Sequence, residues 1–259
     1  MLMYFPVPAL QDLQPKDWIT LIASLSAFTF SALSYWQRSG DSKIGIRKQL
    51  TDTIQRLTDI NTSVAKYHAL SKAKRDLEFP PNYVRLLNDQ RRFLVRQAEF
   101  LSRRIRPLVS PFECLLIASA FDEIDDTIRA EEFFRRACDA ADAIDRGIAL
   151  RGHGQYLLAR GRTDEGNGKF EASLQSFAGD SDHLRIYRAQ TCERWAVQAR
   201  GYGDDAVCER LLMRAVAEYA KLDHASRRDH EVDRVEKRLA RVRAREGYDI
   251  ASEDEQIST

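Results

Sequence analysis

The residues of this chain that look most like a chemical motif lie in "TDEGNGKF", Thr163 to Phe170. A phosphate-binding loop needs glycine where Thr163 stands, Ser or Thr where Phe170 stands, and a strand before it. The sequence supplies none of these, and the segment falls at the turn between two helical patterns. It therefore predicts a turn and not a nucleotide site.

Histidine, glycine and cysteine offer no better site. "RGHGQ" at 151–155 lacks the third glycine of a dinucleotide fingerprint, so we assign Gly154 to close helix packing. The five histidines include no HExxH motif and no pair at metal-ligand spacing, and His153 is expected to pack inside the protein. No CxxC pair occurs, which favours buried free thiols in a reducing compartment. The cysteines are Cys114, Cys138, Cys192 and Cys208.

Acidic residues cluster in "DEIDD" at 122–126, where a solvated turn explains them. An enzyme would need a nucleophile and a base in matched positions, and the sequence offers no such pair. We therefore expect no catalytic residues, no metal site and no cofactor.

The composition predicts that helices position whatever site exists. Apolar residues make up 44% of the chain, and 12 Gly and 7 Pro are few for 259 residues. The formal net charge of +1 is unevenly distributed. Residues 38–109 carry 16 Lys and Arg against 7 Asp and Glu, while residues 110–259 carry 23 against 30. We expect an all-α protein with a basic first part and an acidic remainder.

The least polar stretch is "WITLIASLSAFTFSALSYW", residues 18–36, which contains no charge and no proline. At about 1.5 Å per residue it would reach about 28 Å, close to the hydrocarbon thickness of about 30 Å. Aromatic residues stand at both ends, as at membrane interfaces. We predict a single transmembrane helix at 18–36, with a buried core helix as the alternative. The acidic start and bulky end argue against a cleaved signal peptide.

The flanking charges predict the orientation of this span. The short tail at 1–17 carries Lys16 beside two acids, whereas four cations follow the span within twelve residues. Positive residues stay on the cytoplasmic side, so we expect the N-terminus outside and the remainder inside, at the inner (plasma) membrane. The four cations would contact anionic lipid headgroups. They are Arg38, Lys43, Arg47 and Lys48.

Two helices are predicted before the acidic part. "RSGDS" indicates a turn, after which a basic amphipathic helix at 41–79 carries an apolar stripe over residues 46–67. The stripe fits a coiled coil or packing against a neighbouring helix, so a homo-oligomer through it, or through the span, stays open. Pro80 and Pro81 end this helix. A second helix at 82–106 leads into the acidic part.

Residues 111–222 contain an internal repeat. Three segments align at shifts of 36 and then 42 residues. Each has a small residue, another small residue twelve positions later, and a large apolar residue four positions after that. Small residues let antiparallel helices approach closely, and large ones fill the space between hairpins. The aligned positions are Ala118, Ala130 and Phe134; Gly154, Gly166 and Phe170; and Ala196, Cys208 and Leu212.

This pattern resembles the tetratricopeptide repeat, a helix–turn–helix unit of about 34 residues. The resemblance lacks the proline that often ends a unit, and its period lengthens in the second step. It implies a superhelical array with a groove lined by the first helix of each hairpin. A charged helix at 226–247 is predicted to cap the array, before a disordered tail at 248–259. The implied groove residues are Ser119, Asp122, Arg151, Gln155, Glu193, Arg194 and Arg200.

Two functions from different classes fit these features. The first is a membrane-anchored helical-repeat scaffold that binds a protein or peptide partner at the cytoplasmic face. The second is a nucleic-acid binder using the basic segment 38–109. Few aromatic residues are available there for base stacking, and proximity to lipid explains the charge more simply. If residues 18–36 form a core helix, the scaffold would be a soluble adaptor.

Overall fold

The computed structural model describes the backbone of residues 15–71, 74–75, 78–140 and 142–244, with side chains from residue 42 onward in these ranges. All regular elements in these ranges are helices, so the predicted all-α class is confirmed, and six of the helices form three repeated pairs. The helices are α1 (Pro15–Ala69), α2 (Tyr83–Arg104), α3 (Pro111–Asp122), α4 (Thr127–Cys138), α5 (Ala143–Ala159), α6 (Thr163–Ser176), α7 (Asp182–Gly201), α8 (Asp205–Tyr219) and α9 (Ala225–Arg243), with a 3-10 turn at Arg106–Leu108.

Helix α1 differs from the sequence prediction. We expected a turn near residues 38–42 and a helix over 41–79, whereas α1 runs without a break from Pro15 to Ala69. A glycine inside a helix costs only about 1 kcal/mol, which is too little to end a long helix by itself. The side chains of residues 18–36 and the tails at 1–14 and 245–259 lie outside the described part. Within the described part, no helix is long and apolar enough to cross a membrane.

Helix α2 packs antiparallel against the second half of α1. Leu50, Leu57 and Ile60 are buried in one core with α2 and the first hairpin. Arg91 Nη2 of α2 donates a hydrogen bond to Asn61 Oδ1 of α1 at 2.9 Å. The stripe over residues 46–67 therefore packs within the chain. A homo-oligomer through that stripe would have to break this core.

The three hairpins close through the same turn geometry. The last residue but one of each turn has a positive φ, which is 59° at Asp125, 75° at Gly161 and 79° at Gly203. These positions are separated by the same 36 and 42 residues as the sequence repeat. In each turn the next N–H donates to a carbonyl five residues earlier, at 3.0, 2.9 and 3.0 Å. Glycine adopts this conformation freely and Asp tolerates it, so the turns repeat with the helices.

Small residues set the separation of α5 and α6. A Cβ on Gly154 would stand 3.1 Å from the carbonyl oxygen of Gly166. A Cβ on Gly166 would meet the side chain of Leu158 at 2.7 Å, and that side chain is buried. The two helices therefore approach more closely than two alanines at these positions would allow.

Successive hairpins are joined by aromatic stacking at equivalent positions. Phe134 of α4 stacks on His153 of α5, and Phe170 of α6 stacks on Trp195 of α7, with ring centroids 5.3 Å apart in both pairs. The large residue of each second helix thus fills the space before the next hairpin, as the repeat predicts. The second shift of the repeat, 42 residues, is longer than the first partly because its helices are longer. Helices α6 and α7 have 14 and 20 residues, whereas α4 and α5 have 12 and 17.

Helix α9 closes the array. Val235, Leu239 and Val242 are buried in the core that α7 and α8 share. Its position matches the predicted capping helix, and its described part ends at Arg243.

We expect Gly166→Ala to lower the free energy of unfolding by about 1–3 kcal/mol, because the added methyl group overpacks a buried contact. The measurement is urea unfolding of the full chain, followed by circular dichroism. Gly168→Ala, two residues later in α6, is the matched control, because a Cβ there has no atom within 4 Å. Replacing an exposed helical glycine should stabilise the protein by up to about 1 kcal/mol. Equal effects of both variants would contradict the close-packing explanation.

Candidate functional site

The first helices of the three hairpins line a concave groove of about 420 Å³. We call it the α3–α5–α7 groove. Five of the seven residues implied by the resemblance come together in it, namely Ser119, Asp122, Arg151, Gln155 and Arg194. The groove is completed by Leu115, Glu123, Phe134, Ile148, Gly152, Tyr156, Ala159 and Gln198.

Arg151 lies on α5, the middle helix of the groove, and forms no ion pair with any carboxylate among the described residues. Its Nη1 is buried without a hydrogen-bond partner among the described residues. Burial, and then the neighbouring charge of Arg194, lower the pKa of Arg151 from 12.5 to about 10. Both effects make the charged guanidinium less stable here than in water. An anion in the groove would supply the missing partner.

The carboxylates of the groove do not supply that partner, because other arginines neutralise them. Asp122 accepts a hydrogen bond from Arg160 Nε at 3.1 Å. Glu123 Oε2 lies 3.5 Å from Arg91 Nη1. The positive charges of Arg151 and Arg194 therefore dominate the groove.

Neutral polar side chains flank these arginines. Ser119 of α3 is exposed, and Gln155 of α5 and Gln198 of α7 are half-buried. Each can donate and accept hydrogen bonds, as a peptide backbone requires. Sequence reasoning missed Gln198, although it follows Arg194 by one helical turn and that spacing could have found it.

Glu193 and Arg200 lie outside the groove, contrary to what the resemblance implies. Glu193 is buried, and it accepts hydrogen bonds from Tyr219 Oη at 2.8 Å, Arg234 Nη1 at 2.7 Å and Arg238 Nη1 at 2.9 Å. Arg200 lines a small space between α7, α8 and α9. Seven residues are about two helical turns, so both share one face of α7. That face is covered by α8 and α9, and it is about 100° from the face of Arg194.

The four cations assigned to lipid contact have different surroundings. Lys43 and Lys48 are exposed, and the side chain of Arg38 lies outside the described part. Arg47 is engaged within the chain instead. Its Nη1 donates to the Leu108 carbonyl oxygen at 2.8 Å and to Glu113 Oε2 at 2.5 Å. Arg47 therefore joins α1 to the N-terminus of α3, a long-range contact that charge patterning alone does not reveal.

Among the described residues, the pair that comes closest to a catalytic arrangement is Cys138 and His153, whose Sγ and Nδ1 atoms lie 3.8 Å apart. Burial raises the pKa of the Cys138 thiol to about 11. Burial, assisted by Lys169 and Arg162, lowers the pKa of His153 to about 4. Both groups are therefore neutral at pH 7, whereas a nucleophilic cysteine needs a thiolate. Stacking on Phe134 explains the position of His153.

A second groove of about 730 Å³ lies between α1 and α2. Its lining includes Leu86 and Phe93, which are exposed, and Phe100 is exposed on the same helix. These three residues are seven positions apart, so they share one face of α2. That face is turned to solvent, whereas Leu87, Leu94 and Leu101 of the same helix are buried.

Comparisons with protein-family models, with curated proteins and with solved structures find no match to this chain. In the part of the chain that the structure describes, no three His, Cys, Asp or Glu side chains are grouped so as to hold a metal ion. The function of the protein has to be inferred from its grooves and charges.

We expect His153 to make the protein less stable in acid. Folding lowers its pKa from 6.5 to about 4, so between these values the unfolded chain binds the proton more tightly. Stability is therefore unaffected above pH 6.5 and falls by about 2–3 kcal/mol as the pH drops to 4. His153→Gln should remove this part of the slope in urea unfolding measured against pH. His230→Gln, at an exposed position of α9, should keep it. An unchanged slope in His153→Gln would rule out His153 as its source.

Proposed function

We propose that this protein is a membrane-anchored helical-repeat scaffold whose α3–α5–α7 groove binds an acidic segment of a partner protein at the cytoplasmic face of the membrane. Residues 18–36 would be the anchor, with the N-terminus outside. The proposal treats the chain as a binding protein and not as an enzyme.

The observation that carries the proposal is the unpaired guanidinium nitrogen of Arg151. A buried donor without a partner costs about 1–3 kcal/mol, and more when the group is charged. Arg91 and Arg185 each also have one buried nitrogen without a hydrogen-bond partner among the residues that the structure describes. Their other guanidinium nitrogens bond to Asn61 and to the Lys221 carbonyl oxygen. For Arg151 a ligand carboxylate would provide the missing bond.

The shape and lining of the groove favour an extended peptide segment. The first helices of three successive hairpins contribute to it, which gives the kind of concave surface that helical repeats use for long ligands. The lining combines apolar side chains such as Leu115 and Ile148 with amide and hydroxyl groups. Apolar side chains of a peptide could pack on the former while its backbone bonds to the latter. Acidic residues of the segment would pair with Arg151 and Arg194.

The continuous helix α1 supports the membrane-anchored part of the proposal. It extends from Pro15 to Ala69, so a span at 18–36 would join the helical array with no flexible linker between them. At about 1.5 Å per residue, the part of α1 beyond Trp36 is about 50 Å long. The groove would therefore be held at a defined distance from the membrane.

Arg151→Met is expected to raise the melting temperature of the unliganded protein, because it removes a half-buried charge that has no ion-pair partner among the described residues. The same variant should bind a fluorescent peptide of six glutamates at least about tenfold more weakly than the wild type, which corresponds to the loss of one charged hydrogen bond. Peptide binding would be followed by fluorescence anisotropy with the full chain in detergent.

The matched control for this experiment is Arg210→Met, at an exposed position on α8 outside the groove. It should leave peptide affinity and melting temperature nearly unchanged. A peptide of six glutamines tests whether charge is needed. If Arg151→Met lowers the melting temperature and leaves glutamate-peptide binding intact, Arg151 is a structural residue and the proposed groove ligand is wrong.

We expect the full chain to resist carbonate extraction from membranes and to hold a C-terminal reporter in the cytoplasm. Leu25→Arg together with Phe28→Arg should release it, because each central arginine costs about 2.5–3.5 kcal/mol on the insertion scale. Lys16→Gln, which lies before the apolar stretch, is the control and should leave the protein in the membrane fraction. Release of the wild type by carbonate would identify residues 18–36 as a core helix of a soluble adaptor. A reporter on the far side would contradict the orientation.

A further inference from the structure

The α1–α2 pair has one end next to residues 18–36, the N-terminal part of α1. The two helices are antiparallel, because the ring of Tyr67 lies 5.9 Å from that of Tyr83 and Arg47 bonds to the Leu108 carbonyl oxygen. The C-terminal end of α2, the 3-10 turn and the start of α3 therefore gather around the first described side chains of α1.

This end exposes three large apolar side chains. Ile44 is 69% exposed, Leu108 50% and Phe112 61%. Arg47 connects them, since it lies one helical turn after Ile44 and bonds to Leu108 and to Glu113, the neighbour of Phe112. Single exposed apolar residues are ordinary, but several gathered at one end of a domain indicate an interaction surface.

Cations accompany these apolar side chains. Lys43, Lys48 and Arg106 are all exposed. Glu113, at the start of α3, is already paired with Arg47 at 2.5 Å and caps α3 through Ser110. The surface therefore combines apolar side chains with three exposed cations that form no ion pair among the described residues. We call these six residues (Ile44, Leu108, Phe112, Lys43, Lys48 and Arg106) the basal surface.

We infer that the basal surface lies on an anionic lipid leaflet, with its apolar side chains entering the headgroup layer and its cations on the lipid charges. This inference rests on the proposed anchoring through residues 18–36. It adds that the folded domain itself contacts the membrane, and that α2 and α3 contribute to the contact.

The distances along α1 are compatible with this contact. Ile44 follows Trp36 by eight residues, which is about 12 Å of helix. The headgroup layer of one leaflet is about 5–7 Å thick. Helical side chains lean toward the N-terminus, which here is toward the membrane, and a tilted helix brings them closer still. Apolar side chains beside cations are the composition that lies in such interfaces.

Charge argues against a second copy of the chain as the occupant. In a twofold dimer through this surface, the same cations would face one another across the interface. An anionic leaflet instead attracts each of them, by an amount equivalent to about a fivefold gain per cation. The membrane is therefore the occupant to which the surface is complementary.

The test uses the full chain with Cys138→Ala, which removes the half-buried cysteine and leaves three that are buried. A single new cysteine is introduced by Phe112→Cys or, as matched control, Phe93→Cys, and is labelled with an environment-sensitive fluorophore. Phe93 is 70% exposed and lies on α2 about 20 Å from Leu108. The proteins are reconstituted into vesicles of equal parts phosphatidylcholine and phosphatidylglycerol, with or without a headgroup-region quencher lipid.

The label at position 112 should emit at shorter wavelength than in detergent and lose most of its intensity to the quencher lipid, while the label at 93 should do neither. Lys48→Gln together with Arg106→Gln should reduce the quenched population at 112 by about fivefold per cation removed. Leu108→Cys gives a second labelling site that should behave like 112.

Flotation of the vesicles separates the two ways in which the idea can fail. Protein that floats with the vesicles but shows equal, unquenched emission at 93, 108 and 112 would overturn the basal surface and leave the anchor standing. Protein that does not float would overturn both. Quenching at 112 that is as strong in pure phosphatidylcholine would exclude the anionic leaflet as the occupant.

Discussion

The structure depends above all on the close approach of paired helices at small residues. Gly154 and Gly166 bring α5 and α6 within a distance that no larger side chain would permit. A turn of three or four residues with one positive φ is then needed to connect the helices, and such a turn recurs in all three hairpins. Large aromatic residues that cannot fit between the paired helices stack on the next hairpin instead, as Phe134 and Phe170 do. The first helices are left side by side, and a concave groove results.

Buried and half-buried arginines in this fold have two different environments with different consequences. Arg234 and Arg238 are paired with Glu193, which also accepts a hydrogen bond from the hydroxyl group of Tyr219. These interactions hold α9 on the array, and the charges of the cluster are paired. Breaking such a pair leaves a charge alone in a poorly solvated site. Arg151 is already in that condition in the unliganded protein. The contrast separates an arginine that stabilises the fold from one whose partner would have to come from a ligand.

The long helix α1 links the two proposed interactions. Its second half packs against α2, and Arg47 bonds to Glu113 in the N-terminal cap of α3. The array and α1 therefore form one packed body. A membrane contact at one end of the α1–α2 pair and a peptide in the groove would then act on the same rigid unit. Part of the basic segment is used for this packing, since Arg47 and Arg91 are both engaged within the chain. Fewer of its charges remain for nucleic acid than the count suggests.

The sequence by itself determined the helical class and the three hairpins, because small and large residues recur at fixed shifts, and this information is local. It misplaced the second turn, since residues 163–170, predicted as a turn, form the start of α6. The resemblance to the tetratricopeptide repeat also implied Ser119, Asp122, Arg151, Gln155 and Arg194, which line the groove. Only the tertiary structure decided that Glu193 faces Arg234 and that Arg47 faces Glu113, since these partners are 41 and 66 residues apart. The physical reason is that periodicity gives the direction of a side chain around its own helix. Which neighbour covers that direction depends on how all the helices pack.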